Sequence, residues 1–298
     1  MLKLVFFYYF INMKEERDNF SILIVAALAV LNLAVWYQIM FLGPNAEPEV
    51  YFLDVGQGDA TLTIFPGNVK MLTDAGYGFK VVAALENAVL GKYIDLAVVT
   101  HPQLDHFGGF NYLLDRYQFG AFIVTGRESE VAEWSALIEK VNSKGIPMIR
   151  LLAGDRISQG RNVVSLLSPT LAISQSGELN DTSFVSLVDF NKFKMLLTGD
   201  IGFSVENFLI SNFLDLSAEV LKVGHHGSKY STSEKFVNAV NPKVAVIEVG
   251  EDNRFGHPTD EVLERLKDVK IFRTDKNGTM KIVVSGEKLR VFTDKSFK

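Results

Sequence analysis

The pattern of apolar residues divides the chain into two parts of different character. From Phe20 to Leu42, 23 residues run without a charged side chain, and three polar ones interrupt them: Ser21, Asn32 and Gln38. A helix of this length can span the roughly 30 Å hydrocarbon core of a bilayer. Beyond Pro48 the chain changes to short apolar runs, which are typical of strands and amphipathic helices. The pattern predicts one N-terminal transmembrane helix followed by a globular part.

Within the globular part, strand patterns and helix patterns alternate. Strands are predicted at Val50–Val55, Ala60–Phe65, Val69–Thr73, Leu96–Val99, Ala121–Val124, Val163–Leu167, Phe184–Phe190, Lys194–Leu197, 219–223, 244–249, 271–274, 279–285 and 289–293. Helices are predicted at Asn111–Arg116, Glu130–Asn142, 203–213, 233–240 and 260–267. A β-rich section followed by a β/α section, twice over, predicts an α/β sandwich of two sheets with outer helices. No long linker interrupts it, so we predict an anchor segment at 1–43 and one domain at 44–298.

Charges around the apolar segment predict its orientation. Three basic residues precede it, and none lies between Gly43 and Asn68. The positive-inside rule then places the N-terminus in the cytoplasm and the large domain outside the membrane. No Ala-x-Ala pattern ends the segment, so we expect a retained single-pass anchor rather than a cleaved signal peptide. Residues 1–12 are apolar but too short to span, and Met13 is an alternative start.

Composition narrows the classes of chemistry. The chain contains no cysteine, which excludes disulfides, thiolate zinc sites and cysteine nucleophiles. Its net charge is −5, and an acidic body disfavours tight non-specific binding to nucleic acid, which depends on Lys and Arg. A phosphodiester substrate would therefore have to be held by a metal ion and a local patch.

The five histidines carry the candidate chemistry. All five lie in loops that follow predicted apolar strands, beside Gly, Pro or Asp: His101, His106, His225, His226 and His257. The first two belong to THPQLDHFGG (100–109), which follows the strand Leu96–Val99. Imidazole and carboxylate at close spacing bind borderline divalent ions. The alternative is an ordinary Asp–His hydrogen-bonded turn.

Five motifs resemble a known family. HPQLDHFGG resembles the H-x-H/D-x-D-H motif of the metallo-β-lactamase superfamily. FLDVGQGDA (52–60) resembles the opening motif of the hydrolase domain of ComEC-type competence proteins, which internalise DNA. The same branch is matched, in order, by LLTGD (196–200), LKVGHHGS (221–228) and NRFGHP (253–258). The resemblance implies an αββα metallo-β-lactamase-like sandwich and a metal-dependent hydrolase, nuclease-like on DNA outside the cytoplasm through a metal-activated water.

The resemblance also implies roles for particular residues. Metal ligands are expected at His101, Asp105, His106, Asp200 and His225, with weaker ones at Gln103, Asn180 and Asp181. Catalytic roles are expected for Asp105, His226 and His257, and His257 also competes with His225 as the late ligand. Ligand support or substrate contact is expected from Asp54, Asp59, Ser183, Ser228 and Lys229.

Two departures from the family pattern bear on the metal. Gln103 stands where His or Asp is usual, and the stretch 179–184 contains no histidine. A second metal position would therefore be rich in oxygen ligands, which shifts preference from zinc toward manganese or magnesium. We expect one or two ions, zinc or manganese, with the tight one near Asp105, His106 and Asp200. A weaker one is expected near His101 and Asn180 or Asp181.

Two alternative functions stay open. The first is hydrolysis of a small ester, thioester or lactam, because a fold does not fix the substrate. The second is a catalytically weakened metal-binding module, which Gln103 and the missing middle histidine both suggest. A serine hydrolase is disfavoured, because Ser228 lacks the sequence of a nucleophile elbow.

Overall fold

The computed structural model describes residues 21–37, 47–175, 178–191, 193–286 and 288–295. The chain divides into two units: one contains helix α1 (residues 21–37) and the turn Pro66–Asn68, and the other contains the strands. All of α1 is exposed. Within the described ranges, no helix has both the length and the apolar character needed to cross a bilayer. The predicted transmembrane helix at 20–42 is therefore not found there; residues 20 and 38–42, like residues 1–12, lie outside these ranges.

The strands of the second unit form two sheets. In chain order they are β1 Glu49–Phe52, β2 Thr61–Phe65, β3 Val69–Thr73, β4 Tyr93–Val98, β5 Gln118–Val124, β6 Met148–Arg150, β7 Arg156–Gln159, β8 Asn162–Ser168, β9 Val185–Asp189, β10 Lys194–Leu197, β11 Val220–Lys222, β12 Val244–Ile247, β13 Lys270–Arg273, β14 Met280–Ser285 and β15 Lys288–Thr293. The first sheet has the order β15-β14-β1-β2-β3-β4-β5-β6, and the second has the order β13-β12-β11-β10-β9-β8-β7.

Each sheet is antiparallel in one part and parallel in the other. The parallel pairs are β3–β4, β4–β5 and β5–β6 in the first sheet, and β10–β11, β11–β12 and β12–β13 in the second. A parallel pair needs a crossover connection, and each of these connections contains a helix. The helices of the second unit are α2 Lys80–Ala88, α3 Leu104–Phe107, α4 Phe110–Leu113, α5 Ala132–Ser143, α6 Leu171–Gln175, α7 Phe203–Asn212, α8 Glu234–Val240, α9 Asp260–Arg265 and α10 Thr274–Asn277.

Alternation of side chains along the strands builds the layers. On β1, Val50 and Phe52 belong to the core between the two sheets, whereas Tyr51 belongs to the core under the outer helices, as does Leu53 just after the strand. Helices α2, α4 and α5 cover the outer face of the first sheet, and α7, α8 and α9 cover that of the second. This order of layers confirms the predicted αββα sandwich.

The carboxyl ends of the parallel strands carry several buried polar residues. Asp74 follows β3, His101 follows β4, Asp200 follows β10, and Glu248 follows β12, while Lys222 ends β11. Parallel strands end at the same edge of their sheet, so residues far apart along the chain meet there. The fold therefore brings the candidate histidines and carboxylates to one place.

Candidate metal centre

The loop after β4 holds two fully buried histidines side by side. The rings of His101 and His106 have centroids 4.2 Å apart, and neither residue is exposed to solvent. Gly58 lets the loop of the opening motif (52–60) approach the backbone of Asp105 closely, because a Cβ at this position would overlap the carbonyl oxygen of Asp105. The backbone N–H of Asp59 donates to the same carbonyl at 3.2 Å. The glycine of the opening motif thus packs that loop against the histidine loop.

Asp74 fixes the orientation of His106. One carboxylate oxygen of Asp74 lies 2.8 Å from His106 Nδ1, and the carboxylate also accepts from the Thr100 N–H at 2.8 Å and hydroxyl at 2.7 Å. With Nδ1–H donating to Asp74, Nε2 is the nitrogen of His106 left to bind a metal ion. That Nε2 lies 3.2 Å from Asp200 Oδ2, and no hydrogen bond of normal geometry to a described residue satisfies it.

Ser183 fixes His101 in the same way. Its hydroxyl donates to the Asn180 carbonyl at 2.6 Å and accepts the backbone N–H of Asp200 at 3.1 Å. His101 Nδ1 lies 3.1 Å from this hydroxyl, so Nδ1 carries the hydrogen. Burial, together with the neighbouring His106, lowers the pKa of His101 to about 3. His101 is therefore neutral, and its Nε2 lone pair has no hydrogen-bond partner among the described residues.

His226 enters from the second sheet. Its Nδ1 donates to the Glu248 carbonyl at 2.8 Å, which leaves Nε2 at 3.4 Å from Asp105 Oδ2 and 3.5 Å from Asp200 Oδ2. His226 is almost completely buried, and His225 and His226 both have positive φ, 50° and 54°. This left-handed backbone turns successive side chains in directions that a regular strand or helix would not give.

The three histidines and two carboxylates form a donor set for a divalent cation. Among the described residues, three groups of ligand atoms, each within 4.8 Å of one another, contain His106. One adds His101 and Asp200, the second adds Asp105 and His226, and the third adds Asp59 and Asp74. The Nε2 atoms of all three histidines are buried and have no hydrogen-bond partner in the described part of the chain. Each imidazole is held through its other nitrogen, as in histidines that bind metals. These residues fit a zinc or manganese ion.

The charges of the site are consistent with a cation there. Burial opposes ionisation of Asp200, but His226 and His106 hold the pKa of its carboxyl well below the usual range. Burial disfavours a charged His226, yet Asp200 and Asp59 raise its pKa to about 10. Metal ligands must give up such protons, so binding of an ion is coupled to proton release.

Lys222 places a permanent cation behind the donor set. Its ammonium contacts Asp59 Oδ2, lies 3.8 Å from Asp200 Oδ1 and donates to the Gly199 carbonyl at 3.0 Å. Burial would lower the pKa of Lys222, but the carboxylates of Asp59 and Asp200 raise it instead. The side chain therefore remains charged inside the protein and compensates the buried carboxylates.

Comparison with known proteins identifies the family. The sequence model of the metallo-β-lactamase superfamily matches residues 53–250. The chain belongs to the metallo-β-lactamase superfamily. This membership confirms the predicted metallo-hydrolase and implies that a divalent metal is bound.

Among curated relatives, the chain is 30% identical over 266 residues to ComE operon protein 3 of Bacillus subtilis (strain 168), covering 81% of this chain and 34% of the relative. It is 32% identical over 225 residues to Recombination protein 2 of Haemophilus influenzae, and the match covers 73% of this chain and 26% of the relative. The chain thus spans about a quarter to a third of the length of these relatives. These matches confirm the resemblance to ComEC-type competence proteins.

Solved structures support the metallo-β-lactamase fold alone. Tm1679, described as a metal-dependent hydrolase of the superfamily, aligns with a TM-score of 0.52 at 14% identity, covering 80% of this chain and 99% of that one. Zn²⁺-bound PqqB from Methylobacterium extorquens aligns with a TM-score of 0.51 at 8% identity, and the alignment covers 76% of this chain and 88% of that one.

The structure changes the assignment of the late histidine. The sequence interpretation made His225 the ligand and gave His226 a catalytic role, but the donor groups among the described residues contain His226 and not His225. The ring nitrogens of His225 lie near the Asn180 amide nitrogen, Nε2 at 3.2 Å and Nδ1 at 3.4 Å. His257 is partly buried, with its ring 6.0 Å from that of His225. Both His225 and His226 belong to the left-handed turn described above.

The residues proposed as weaker ligands are occupied by hydrogen bonds. Gln103 donates its amide N–H to Asn180 Oδ1, and Asp181 Oδ1 accepts the backbone N–H of Gly202 at 2.9 Å. None of the three belongs to a donor group within the described ranges, whereas His101 belongs to the same group as His106 and Asp200. The residues expected to hold a second, weaker ion are therefore not part of a donor group in the described part of the chain, apart from His101.

The residues expected to support the site fall into two sets. Asp59 contacts His226 Nδ1 at 3.2 Å as well as Lys222, and Ser183 holds His101. Asp54 lies outside, with its carboxylate accepting the Gly56 N–H at 3.2 Å. Ser228 is buried, and the exposed Lys229 lies 5.2 Å from the ring of Tyr230.

Sequence reasoning missed three buried groups: Asp74, Lys222 and Glu248. Glu248 accepts the Ala60 N–H at 2.9 Å and the Thr61 hydroxyl at 3.0 Å. Burial and the nearby Asp59 raise the pKa of Glu248 to about 8. A charged residue at the end of an otherwise apolar strand was the available signal for all three.

Proposed function

We propose that this chain is a metal-dependent phosphodiesterase that acts on DNA. The observation that carries the proposal is the buried donor set, in which three histidine Nε2 atoms without hydrogen-bond partners among the described residues and the carboxylates of Asp105 and Asp200 form overlapping groups. The printed names of the relatives, a competence operon protein and a recombination protein, support DNA as the substrate. Both names belong to longer proteins, so DNA enters here as a proposal.

The chain's own residues supply the rest of the chemistry. A divalent ion, when bound, lowers the pKa of water and stabilises charge on the attacked phosphate. Asp105 is the most accessible of the carboxylates, with 23% of its side chain exposed, so it can accept a hydrogen bond from the attacking water. Burial and the neighbouring His225 lower the pKa of His257. A neutral His257 can take a proton from water and return one to the leaving oxygen.

The decisive experiment uses the purified full-length chain, single-stranded DNA and manganese or zinc. We expect cleavage that a chelator abolishes and that is absent in Asp200→Ala. The matched control is Asp268→Ala, an exposed aspartate outside the donor groups, and this variant should cleave like the wild type. A chain that binds metal and cleaves no phosphodiester would contradict the proposal and favour a weakened metal-binding module.

A second candidate is hydrolysis of a small ester, thioester or lactam. The net charge of −5 favours it, because an acidic body repels a polyanion. Chromogenic esters and lactams, tested in parallel with DNA, separate the two candidates. Turnover of these compounds without DNA cleavage would favour the small-molecule hydrolase.

We also propose that residues 1–43 anchor the domain 44–298 at the cell membrane, with the N-terminus in the cytoplasm and the catalytic part outside. The uncharged sequence of residues 20–42 and the basic residues before it support this topology. We expect the protein to remain with membranes after an alkaline wash, and deletion of residues 20–42 to release it. Release of the intact protein by the wash would contradict the anchor.

A further inference from the structure

An open groove lies beside the metal centre. It has a volume of about 570 Å³ and contains Asp105 together with two large aromatic side chains, Tyr77 and Phe255. Tyr77 lies in the loop between β3 and α2, and Phe255 lies in the loop between β12 and α9. Both loops follow parallel strands that also carry residues of the site. The groove therefore continues from the donor set to the protein surface.

The two aromatic side chains are unusually exposed. Tyr77 is 61% exposed and Phe255 is 54% exposed, although most large rings of this domain are buried in the cores. Phe255 has a fixed orientation, because its ring stacks on His257 at a centroid distance of 5.9 Å and an interplanar angle of 19°. Exposed rings that line a catalytic groove are suited to contact planar ligands.

Two basic side chains accompany these rings. The guanidinium of Arg254 lies 5.2 Å from the Phe255 ring centroid. The Lys80 ammonium lies at Gly56, within 3.2 Å of where a Cβ would be, next to the groove residue Gln57. Neither cation forms a salt bridge with a residue in the described part of the chain. Their positive charge is therefore available to a phosphate.

We propose that this groove binds the unpaired bases of a single-stranded nucleic acid that flank the phosphate presented to the metal centre. Tyr77 and Phe255 are the stacking surfaces, and Arg254 and Lys80 contact backbone phosphates. Aromatic platforms with neighbouring cations bind single strands in this way without sequence preference. The inference rests on the proposed phosphodiesterase function and narrows its substrate, because paired bases inside a duplex cannot reach the rings.

The charge of the groove limits the phosphate contacts. Asp252 lines it as well and repels a nearby phosphate. Stacking must therefore supply much of the binding, which makes the bases rather than the backbone charge the feature to test. A backbone without bases retains every phosphate and loses only the stacking.

The test compares oligothymidylate with an oligomer of the same length in which the sugars carry no bases. Binding is measured by fluorescence anisotropy and cleavage is measured alongside, with the full-length chain and manganese. We expect the wild type to bind the thymidylate more tightly than the base-free oligomer, by about tenfold or more. Tyr77→Leu and Phe255→Leu should each remove a large part of this difference. Tyr77→Phe and Phe255→Tyr, which keep a ring, should retain it.

Phe292→Leu is the matched control, because Phe292 is 51% exposed and lines a different cavity. Equal binding of the two oligomers by the wild type would overturn the inference, as would leucine variants that keep the wild-type preference. If cleavage continues in either case, the phosphodiesterase proposal survives. If the wild type prefers the thymidylate but cleaves nothing, the phosphodiesterase proposal is wrong. The proposal that the groove binds bases then stands by itself.

Discussion

Replacing His226 by alanine is expected to lower the affinity for the divalent ion by about 100-fold or more. Loss of a residue that only orients a ligand costs roughly 10–100-fold, and loss of the ligand itself should exceed that range. His226 Nε2 is the ligand atom, and it lies 3.4 Å from Asp105 Oδ2 and 3.5 Å from Asp200 Oδ2. Isothermal titration with manganese or zinc measures the change, and hydrolysis at limiting metal should fall with it.

His225→Ala is the natural control, because it changes the adjacent histidine in the same loop. His225 lies outside the donor groups of the described residues, so its removal should change metal affinity by less than about threefold. If His225→Ala lost the metal and His226→Ala kept it, the order suggested by the sequence would be restored. The donor set inferred from the geometry would then be wrong.

Replacing Lys222 by methionine is expected to destabilise the folded protein by about 3–5 kcal/mol, measured by denaturant unfolding with a chelator present. The substitution keeps the length of the side chain but leaves the buried carboxylates of Asp59 and Asp200 without their ammonium partner. Removing one member of a buried ion pair has this cost because the remaining charge is uncompensated. The pKa of Lys222 is raised above its ordinary 10.5, so the stabilisation is fully present at neutral pH. It is lost only as the pH rises through the folded-state value.

Lys243→Met is the matched control at the surface. Lys243 pairs with Glu219 at 3.7 Å, and 69% of its side chain is exposed. An exposed pair contributes about 1 kcal/mol or less. Equal and small effects of the two substitutions would show that Lys222 does not compensate buried charge. The double variant Lys222→Met with Asp59→Asn should recover part of the stability, since one unpaired carboxylate is then removed.

Much of the architecture could be predicted from the apolar pattern. Most strands of the domain, and helices such as α5, lie where the apolar runs predict them, and the predicted two-sheet sandwich is present. Strands β6 and β7 were not predicted. Helix α2 was missed because it follows the glycine-containing stretch Asp74–Phe79, which reads as a loop. The transmembrane helix expected at 20–42 is not found within the described residues.

The sequence predicted most of the residues of the site but not which of them come together. His101 and Asp200 stand beside proline and glycine just after strands, and Asp105 and His106 follow in the same motif as His101, which marks all four as candidates for chemistry. The choice between His225 and His226 depends on the backbone dihedral angles of a left-handed turn. The sequence His225-His226-Gly227 does not predict those angles. Lys222 belongs to a run of buried residues, and only the three-dimensional packing brings Asp59 to it.

Metal content is the most direct test of the metal centre. The full-length chain is loaded with manganese or zinc, desalted, and analysed by inductively coupled plasma mass spectrometry. We predict one tightly held ion per chain, retained in His225→Ala and lost in His226→Ala. A wild-type chain that retains no ion after loading would contradict the donor set and, with it, the proposed hydrolase chemistry.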